Sequence, residues 1–228
     1  RRYAAVKVFY STAHQDHNPE REFTSDGLVP YPETAHRVEA IATVLNENGS
    51  FDLEFSAPIA PTALSVIHDA DYLTFLAEVY AESSIHSAEL VATTYARGAP
   101  GRRPSNHKAQ MGYYGFDTTP ITPGTWTAAL AAAGSALTGA ENLQVGASQI
   151  YALCRPPGHH AGRNYFGGYC YLNNAALAAA HLAAEHPVAI LDIDYHHGNG
   201  TQDIFYESAQ VLFVSIHADP ANQYPLYW

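Results

Sequence analysis

Apolar residues in the second half of the chain form short continuous runs that alternate with segments of helical periodicity. The runs at 149–154, 188–194 and 210–217 predict strands, and 173–185 predicts a helix with an asparagine cap. Near-continuous apolar strands separated by helices are typical of a parallel sheet that is buried on both faces. This half therefore indicates an α/β domain.

The first half of the chain shows weaker periodicity. We predict a strand at 4–11 and helices at 33–48, 61–68, 69–82 and 125–143. The stretch from about 83 to 122 is weakly periodic and contains a Gly/Pro-rich loop, so we interpret it as a functional or interface insertion. We find no internal repeat or domain boundary, and residues 1–228 are predicted to form a single domain.

Composition excludes several classes of function. An apolar fraction of 47% and a charged fraction of 14% fit a packed soluble protein. No apolar run approaches the ~20 residues that span a bilayer, and no signal peptide is evident, so we expect no membrane partner. A net charge of −11 argues against nucleic acid as a partner. The two cysteines form no disulfide framework, and a cytoplasmic location is the default expectation.

Histidine is unusually frequent: 13 His exceed the 11 Lys and Arg combined. Two His-rich motifs follow predicted strands, RPPGHH and DIDYHHGNG. If the second strand stays extended, Asp192, Asp194 and His196 share one face and can reach one cation, as Zn²⁺ requires. Burying these groups without a cation would be costly. His159 and His160 then suit an acid–base pair that activates metal-bound water, although an incidental pair in a rigid loop is an equal alternative on these two residues alone.

Four segments carry a resemblance to a known family: RPPGHHAG, FGGYCYLNNAA, LDIDYHHGNGTQDIFYE and VSIHADPA. They resemble the metal-dependent histone deacetylase superfamily, in particular its acetylpolyamine amidohydrolase-like branch. The resemblance implies an arginase/deacetylase-like α/β fold, with a central, mostly parallel sheet flanked by helices on both faces and with its C-terminal part missing. It also implies zinc-dependent hydrolysis of N-acyl amides of small amines, polyamines or lysine.

The resemblance also implies roles for the metal-site residues. Asp194 and His196 match the first two zinc ligands. His160 matches the histidine treated as general base, and its partner position is occupied by Asn199, which would orient the ring without raising its basicity. His159 matches the histidine that pairs with a buried aspartate, here Asp192.

Further positions match residues that contact substrate, product or a second ion in the family. Gly168 matches a tunnel glycine whose carbonyl accepts a substrate N–H, and Tyr169 and Tyr224 match the tunnel walls. Asp117 resembles a rim aspartate, and Arg37 an arginine near an internal acetate channel. Members also bind a structural monovalent cation, K⁺ in our interpretation, through positions that correspond to Asp192, Asp194 and Ser215.

Two parts of the family's machinery are expected after the VSIHADPA segment, while the sequence ends at Trp228. These are a third zinc ligand, an aspartate, and a tyrosine that donates to the oxyanion. We therefore expect residues 1–228 to leave apolar surface uncovered and to be poorly soluble alone. A catalytically incomplete metal-binding or interaction domain is the alternative function. The binuclear manganese ureohydrolases rank last, because Gly198 stands where they place a carboxylate.

Substrate choice depends on the insertion. Polyamine-deacetylating relatives use such a segment to build a dimer with a narrowed entrance, so we predict a homodimer. Between residues 97 and 123, Asp117 is the one acidic residue, and it is accompanied by four basic residues: Arg97, Arg102, Arg103 and Lys108. Their repulsion favours a small monoamine-like or acyl-lysine substrate over a long polyamine. The sequence leaves open the acyl group and whether zinc, Fe²⁺ or Co²⁺ is the physiological metal.

Overall fold

The computed structural model describes residues 5–82, 89–96 and 102–226. The strands of this part are β1 (Val6–Tyr10), β2 (Arg21–Thr24), β3 (Gly27–Pro30), β4 (Phe51–Phe55), β5 (Ile150–Ala152), β6 (Val188–Asp192) and β7 (Val211–Ser215). The α-helices are α1 (His36–Glu47), α2 (Ala70–Glu82), α3 (His107–Tyr114), α4 (Thr125–Gln144), α5 (Asn174–Leu182) and α6 (Asn199–Phe205). Two 3₁₀ helices span Thr12–Asp16 and Pro61–Val66.

The strands pair as two parallel sheets and one antiparallel hairpin. β1 lies between β4 and β5, and β6 pairs with β7, all in parallel register. β2 and β3 form the hairpin. The predicted parallel α/β architecture is confirmed, but the strands form two parallel sheets instead of one continuous sheet. A groove of about 440 Å³, lined by residues of α4, β5, α5 and β6, runs between them.

Helix α4 is the centre of the packing. It contacts α5, β1 and β5, because its face is made almost entirely of alanine and glycine. A side chain at Gly134 would meet the carbonyl of Ala57 at 2.2 Å, which shows how closely the neighbouring backbone approaches. The main core also contains large buried aromatic rings, among them Tyr72, Tyr114 and Phe166. Among the described helices, none has the length and apolar character needed to cross a membrane.

The predicted elements are present, most of them with shorter bounds, while α4 extends one residue beyond its predicted end and the helix predicted at 61–68 is the 3₁₀ helix Pro61–Val66. Several other elements were not predicted. Thr125 is the first residue of α4, and its hydroxyl accepts the N–H of Thr122 at 2.7 Å. The hairpin, β4, α3 and α6 were missed. β4 (FDLEF) carries two acids, and α3 lies inside the predicted insertion. Residues 83–88 and 97–101 of that insertion lie outside the described part of the chain.

One face of the β6–β7 sheet is apolar and exposed. Helices α5 and α6 pack against this sheet. Leu191 pairs with Val214 in register, and Leu191 and Leu212 are 63% and 64% exposed. Ile193 and Ile216 extend the same exposed row beyond the strands. The expectation of uncovered apolar surface agrees with this face.

Candidate metal centre and acid–base pair

The two His-rich motifs follow the carboxyl ends of β5 and β6, as predicted, but β6 ends at Asp192. Beyond that point the chain turns instead of staying extended. Asp192 Oδ1 accepts the N–H of Asp194 at 3.0 Å, and Asp194 Oδ1 accepts the N–H of His196 at 2.8 Å. Two successive side-chain-to-backbone turns of this kind are a common use of aspartate. The prediction of an extended segment was therefore wrong, although the side chains still converge.

Asp194 and His196 are spaced as two ligands of one zinc ion would be. His196 Nδ1 lies 3.4 Å from Asp194 Oδ1, and both side chains are about half exposed. With Zn–N and Zn–O bonds of ~2.0–2.2 Å and tetrahedral angles, two ligand atoms on one zinc are about 3.4 Å apart. Within the described ranges, no group of three His, Cys, Asp or Glu side chains is arranged for a metal. The donor pair fits zinc and would supply two of the three protein ligands that catalytic sites normally have.

His159 and His160 each contact the partner that the resemblance implies. His159 Nδ1 lies 2.9 Å from Asp192 Oδ2, and His160 Nδ1 lies 2.7 Å from Asn199 Oδ1. Because an amide oxygen only accepts, His160 Nδ1 donates the proton, and its Nε2 is the unprotonated nitrogen. The two imidazole rings are 4.0 Å apart between centroids.

The protonation states of His160 and Asp192 follow from burial and neighbouring charge. Burial, helped by the nearby His159, lowers the pKa of His160 to about 3, so that this imidazole is neutral at pH 7. Burial alone would raise the pKa of Asp192, but the hydrogen bond and charge of His159 outweigh it and hold that pKa below its usual value. The site thus contains a neutral, buried imidazole, His160, and an ionised carboxylate, Asp192, which contacts the other imidazole, His159.

Glycines permit the close packing around these histidines. A Cβ on Gly168 would lie 2.2 Å from the ring of His160, and Gly168 has φ +55°. A Cβ on Gly198 would lie 2.2 Å from Asp192 Oδ2 and 3.2 Å from His159 Nδ1. A side chain at either position would displace an acid–base residue.

Asp117 organises the rim of the site. Its Oδ2 accepts both the N–H of Gly168 and the hydroxyl of Tyr224, each at 2.7 Å. Tyr224 in turn lies edge-on to His160 and His196, with ring centroids 5.0 and 5.6 Å away. Asp117 therefore holds two of the predicted tunnel residues, Gly168 and Tyr224, against the histidines.

Tyr169 connects the site to the β2–β3 hairpin, which was not predicted. Its N–H donates to Thr119 Oγ1 at 3.1 Å, and its hydroxyl donates to Glu22 Oε2 at 2.7 Å. Burial and the Glu22 carboxylate raise the pKa of the Tyr169 hydroxyl, which stays a donor at neutral pH. Glu22 is thereby placed at the cavity, on a strand that sequence periodicity did not reveal.

One cavity of about 820 Å³ is lined by both histidines of the pair, by the two candidate zinc ligands and by the rim residues: His159, His160, Asp194, His196, Asp117, Gly168, Tyr169 and Tyr224. Four acidic side chains contribute to its wall: Glu22, Glu33, Asp117 and Asp194. The arginines in the wall are Arg37 and Arg155. Arg37, on α1, is exposed and contributes to the cavity wall, and its place near an internal acetate channel stays a prediction.

Arg155 and Glu33 form a buried ion pair that the sequence did not single out. Arg155 is 2% exposed, its Nε lies 3.0 Å from Glu33 Oε1, and it also donates to the carbonyls of His14 and His17. Burial raises the pKa of Glu33 to about 7, against the charge of Arg155. The arginine of RPPGHH thus ties this loop to the N-terminal segment.

Ser215, predicted to help bind a monovalent cation, lies beside Asp192 in the β6–β7 register. Its hydroxyl lies 2.7 Å from His217 Nδ1. The cation site stays a prediction.

Comparison with known proteins places this geometry in a family. The sequence profile of the family described as "Histone deacetylase domain" matches residues 31–227. The chain belongs to the histone deacetylase domain family. It is 42% identical over 226 residues to an acetylpolyamine amidohydrolase of Mycoplana ramosa, and 43% identical over 230 residues to acetylpolyamine amidohydrolase 1 of Pseudomonas aeruginosa. These alignments cover 96% of this chain, and 66% and 65% of the respective relatives.

The histone deacetylase domain assignment extends to the three-dimensional structure. The crystal structure of an acetylpolyamine aminohydrolase from Burkholderia pseudomallei superimposes with a TM-score of 0.91 at 36% identity. The superposition covers 97% of this chain and 66% of that one. The chain thus spans about two thirds of the length of these relatives, and the predicted deacetylase-like fold is confirmed.

Proposed function

We propose that the protein hydrolyses the amide bond of N-acylated amines, with zinc bound in part by Asp194 and His196. The main support is the combination found in one cavity: two zinc-compatible donors 3.4 Å apart beside a neutral buried imidazole, His160. Membership of the histone deacetylase domain family and the acetylpolyamine amidohydrolases among its relatives support the same reaction class.

The residues take distinct parts in this proposal. Bound zinc would polarise the substrate carbonyl and make a water molecule more acidic. His160 accepts the proton of the attacking water at Nε2, since its Nδ1 proton is held by Asn199. His159, held by Asp192, delivers a proton to the leaving amine. Gly168 lies against the His160 ring, where its carbonyl can accept a substrate N–H.

We further propose that the substrate carries two positively charged amino groups in addition to its acylated nitrogen. Glu22 and Asp117 line the cavity near Tyr169 and Gly168 and would attract a cation. The basic residues of the insertion do not oppose this within the described part of the chain, because none of them lines the cavity. Arg103 instead lies 3.8 Å from Asp71 Oδ2 and over the ring of Tyr114. This proposal replaces the sequence-based preference for a small monoamine-like or acyl-lysine substrate over a long polyamine.

The deciding experiment measures zinc content together with kcat/KM on acetylputrescine, acetylspermidine and an acetyl-lysine peptide at low and high salt. We expect about one zinc per chain and a preference for acetylspermidine that weakens as salt screens the acidic rim. Bound zinc without turnover of any of these compounds would favour the alternative, a metal-binding or interaction domain. Equal rates on all three at both salt concentrations would refute the charge argument.

The homodimer and the cytoplasmic location stay predictions. Light scattering of the purified protein tests the first, because a dimer doubles the measured mass. Fractionation of the source cells tests the second.

A further inference from the structure

The backbone that carries His159 and His160 is held by hydrogen bonds from three separate elements. The carbonyl of residue 159 accepts the N–H of Thr201, in α6, at 3.1 Å. The carbonyl of residue 161 accepts from Asn173 Nδ2 at 3.0 Å, and that of residue 162 lies 2.8 Å from His68 Nδ1. Three of the four carbonyls from 159 to 162 are thus bound to groups distant in sequence.

Asn173 is the centre of this network and is fully buried. Its Nδ2 also donates to Thr201 Oγ1 at 3.0 Å, while its Oδ1 accepts the N–H of Ala176 at 3.0 Å and caps α5. Both amide hydrogens and the amide oxygen therefore have partners. Aspartate or serine could cap the helix equally well, but neither supplies two donors.

His68 connects this centre to the loop. Its Nε2 accepts the backbone N–H of Asn173 at 3.1 Å, so its proton resides on Nδ1, which donates to the carbonyl of Gly162. The side chain is 1% exposed, and burial lowers its pKa to about 4, which keeps the ring neutral at pH 7. A neutral imidazole with one donor and one acceptor is what this position requires.

We propose that Asn173 and His68 are positioning residues, whose hydrogen bonds to the 159–162 backbone set the positions of the His159 and His160 rings. This inference rests on the proposed amidohydrolase function. Neither side chain lines the cavity, so neither is a catalytic residue. Their effect on rate arises because a displacement of about 1 Å in an acid–base group can cost roughly 10²-fold.

The test replaces Asn173 in the purified protein so that its two roles separate. Asn173→Asp keeps an oxygen that can cap α5 and removes both donors. The matched control is Asn106→Asp: Asn106 caps α3 by accepting from two backbone N–H groups and is exposed. We expect Asn173→Asp to lower kcat about 10- to 100-fold with KM changed less than about twofold and zinc content retained. The control should keep the wild-type kcat.

A second variant and a second measurement keep the test decisive. His68→Leu fills a similar space without hydrogen bonds, and it should lower kcat by about tenfold or more. Hydrogen–deuterium exchange of the peptide covering 158–163 should be faster in both variants than in the wild type or in the control. This measurement does not depend on turnover.

Each outcome is decisive. Wild-type kcat together with wild-type exchange in both variants overturns the positioning role. Loss of zinc and helix content along with kcat also overturns it, because the network would then support the whole fold instead. If the wild-type protein hydrolyses no acyl amine, the proposed function fails, and the exchange data alone decide whether Asn173 and His68 hold the loop.

Discussion

Acid should destabilise the protein through His68, whose burial lowers its pKa from 6.5 to about 4. Between these two values the unfolded chain binds more protons at this residue than the folded chain does. The contribution of the neutral His68 ring to the free energy of unfolding is therefore complete above pH 6.5 and is lost as the pH falls toward 4. Replacing His68 with asparagine removes the titrating group and with it this part of the pH dependence.

The magnitude follows from the size of the shift. A difference of about 2.5 pKa units corresponds to roughly 3 kcal/mol across the whole window. Between pH 7 and pH 5 the loss from His68 is about 2 kcal/mol. His17, also buried and with a pKa lowered to about 3, adds a loss of the same sign. Between pH 7 and pH 5 the free energy of unfolding of the wild type should thus fall by several kcal/mol. That of His68→Asn should fall by about 2 kcal/mol less.

The measurement is urea unfolding at pH 7 and pH 5 for the wild type, His68→Asn and a control, His36→Asn. The control replaces a histidine whose side chain is 82% exposed and therefore stays hydrated in the folded chain. The free energy of unfolding of His36→Asn should fall between the two pH values by the same amount as that of the wild type. If His68→Asn shows the same loss as the wild type, His68 does not titrate as its burial requires, and the reasoning is wrong.

Three further changes test the site. His196→Ala should abolish stoichiometric zinc, because Asp194 alone is a poor zinc site. Gly198→Ala should lower kcat by roughly 10²-fold, since the new methyl group would meet Asp192 Oδ2 at 2.2 Å. Glu22→Gln should raise KM for acetylspermidine about fivefold with little change in kcat, the effect of about 1 kcal/mol from one charge at the rim.

These predictions have controls on the same chain. Gly49→Ala places a methyl group where nothing lies within 4 Å, so it should leave kcat unchanged. Glu185→Gln removes an exposed charge outside the cavity and should leave KM unchanged. Zinc retained in His196→Ala would contradict the ligand assignment. A KM shift equal in the two glutamate variants would show that overall charge, not the rim, attracts the substrate.

The sequence was informative where chemistry lies close along the chain. Asp194 and His196 are two residues apart and follow an apolar run, so their convergence was predictable. The geometric cause of this convergence was not predictable. The choice between an extended strand and two side-chain-to-backbone turns depends on hydrogen bonds to Asp192 Oδ1 and Asp194 Oδ1. Spacing alone does not distinguish these conformations.

The missed residues act across long distances in sequence. Glu22 is 147 positions from Tyr169, which it contacts, and lies in a four-residue strand with mostly exposed side chains. No local periodicity marks such a strand. Asn173 was recognised as a helix cap, but its two donors contact residues 12 and 28 positions away. Contacts of this kind come from the packing of elements, which single-sequence patterns do not contain.

The glycines of the HHGNG segment also bear on how mutational data for this protein would be interpreted. Gly198 contacts the His159–Asp192 pair, and a Cβ on Gly200 would lie 2.3 Å from the carbonyl of Ala161. In a saturation-mutagenesis screen for growth on an acylated amine, both positions should tolerate substitution as poorly as His159 and His160, beside which they lie. Loss of growth on substitution in this motif would therefore not distinguish residues that take part in the chemistry from glycines whose lack of a side chain leaves space for those residues.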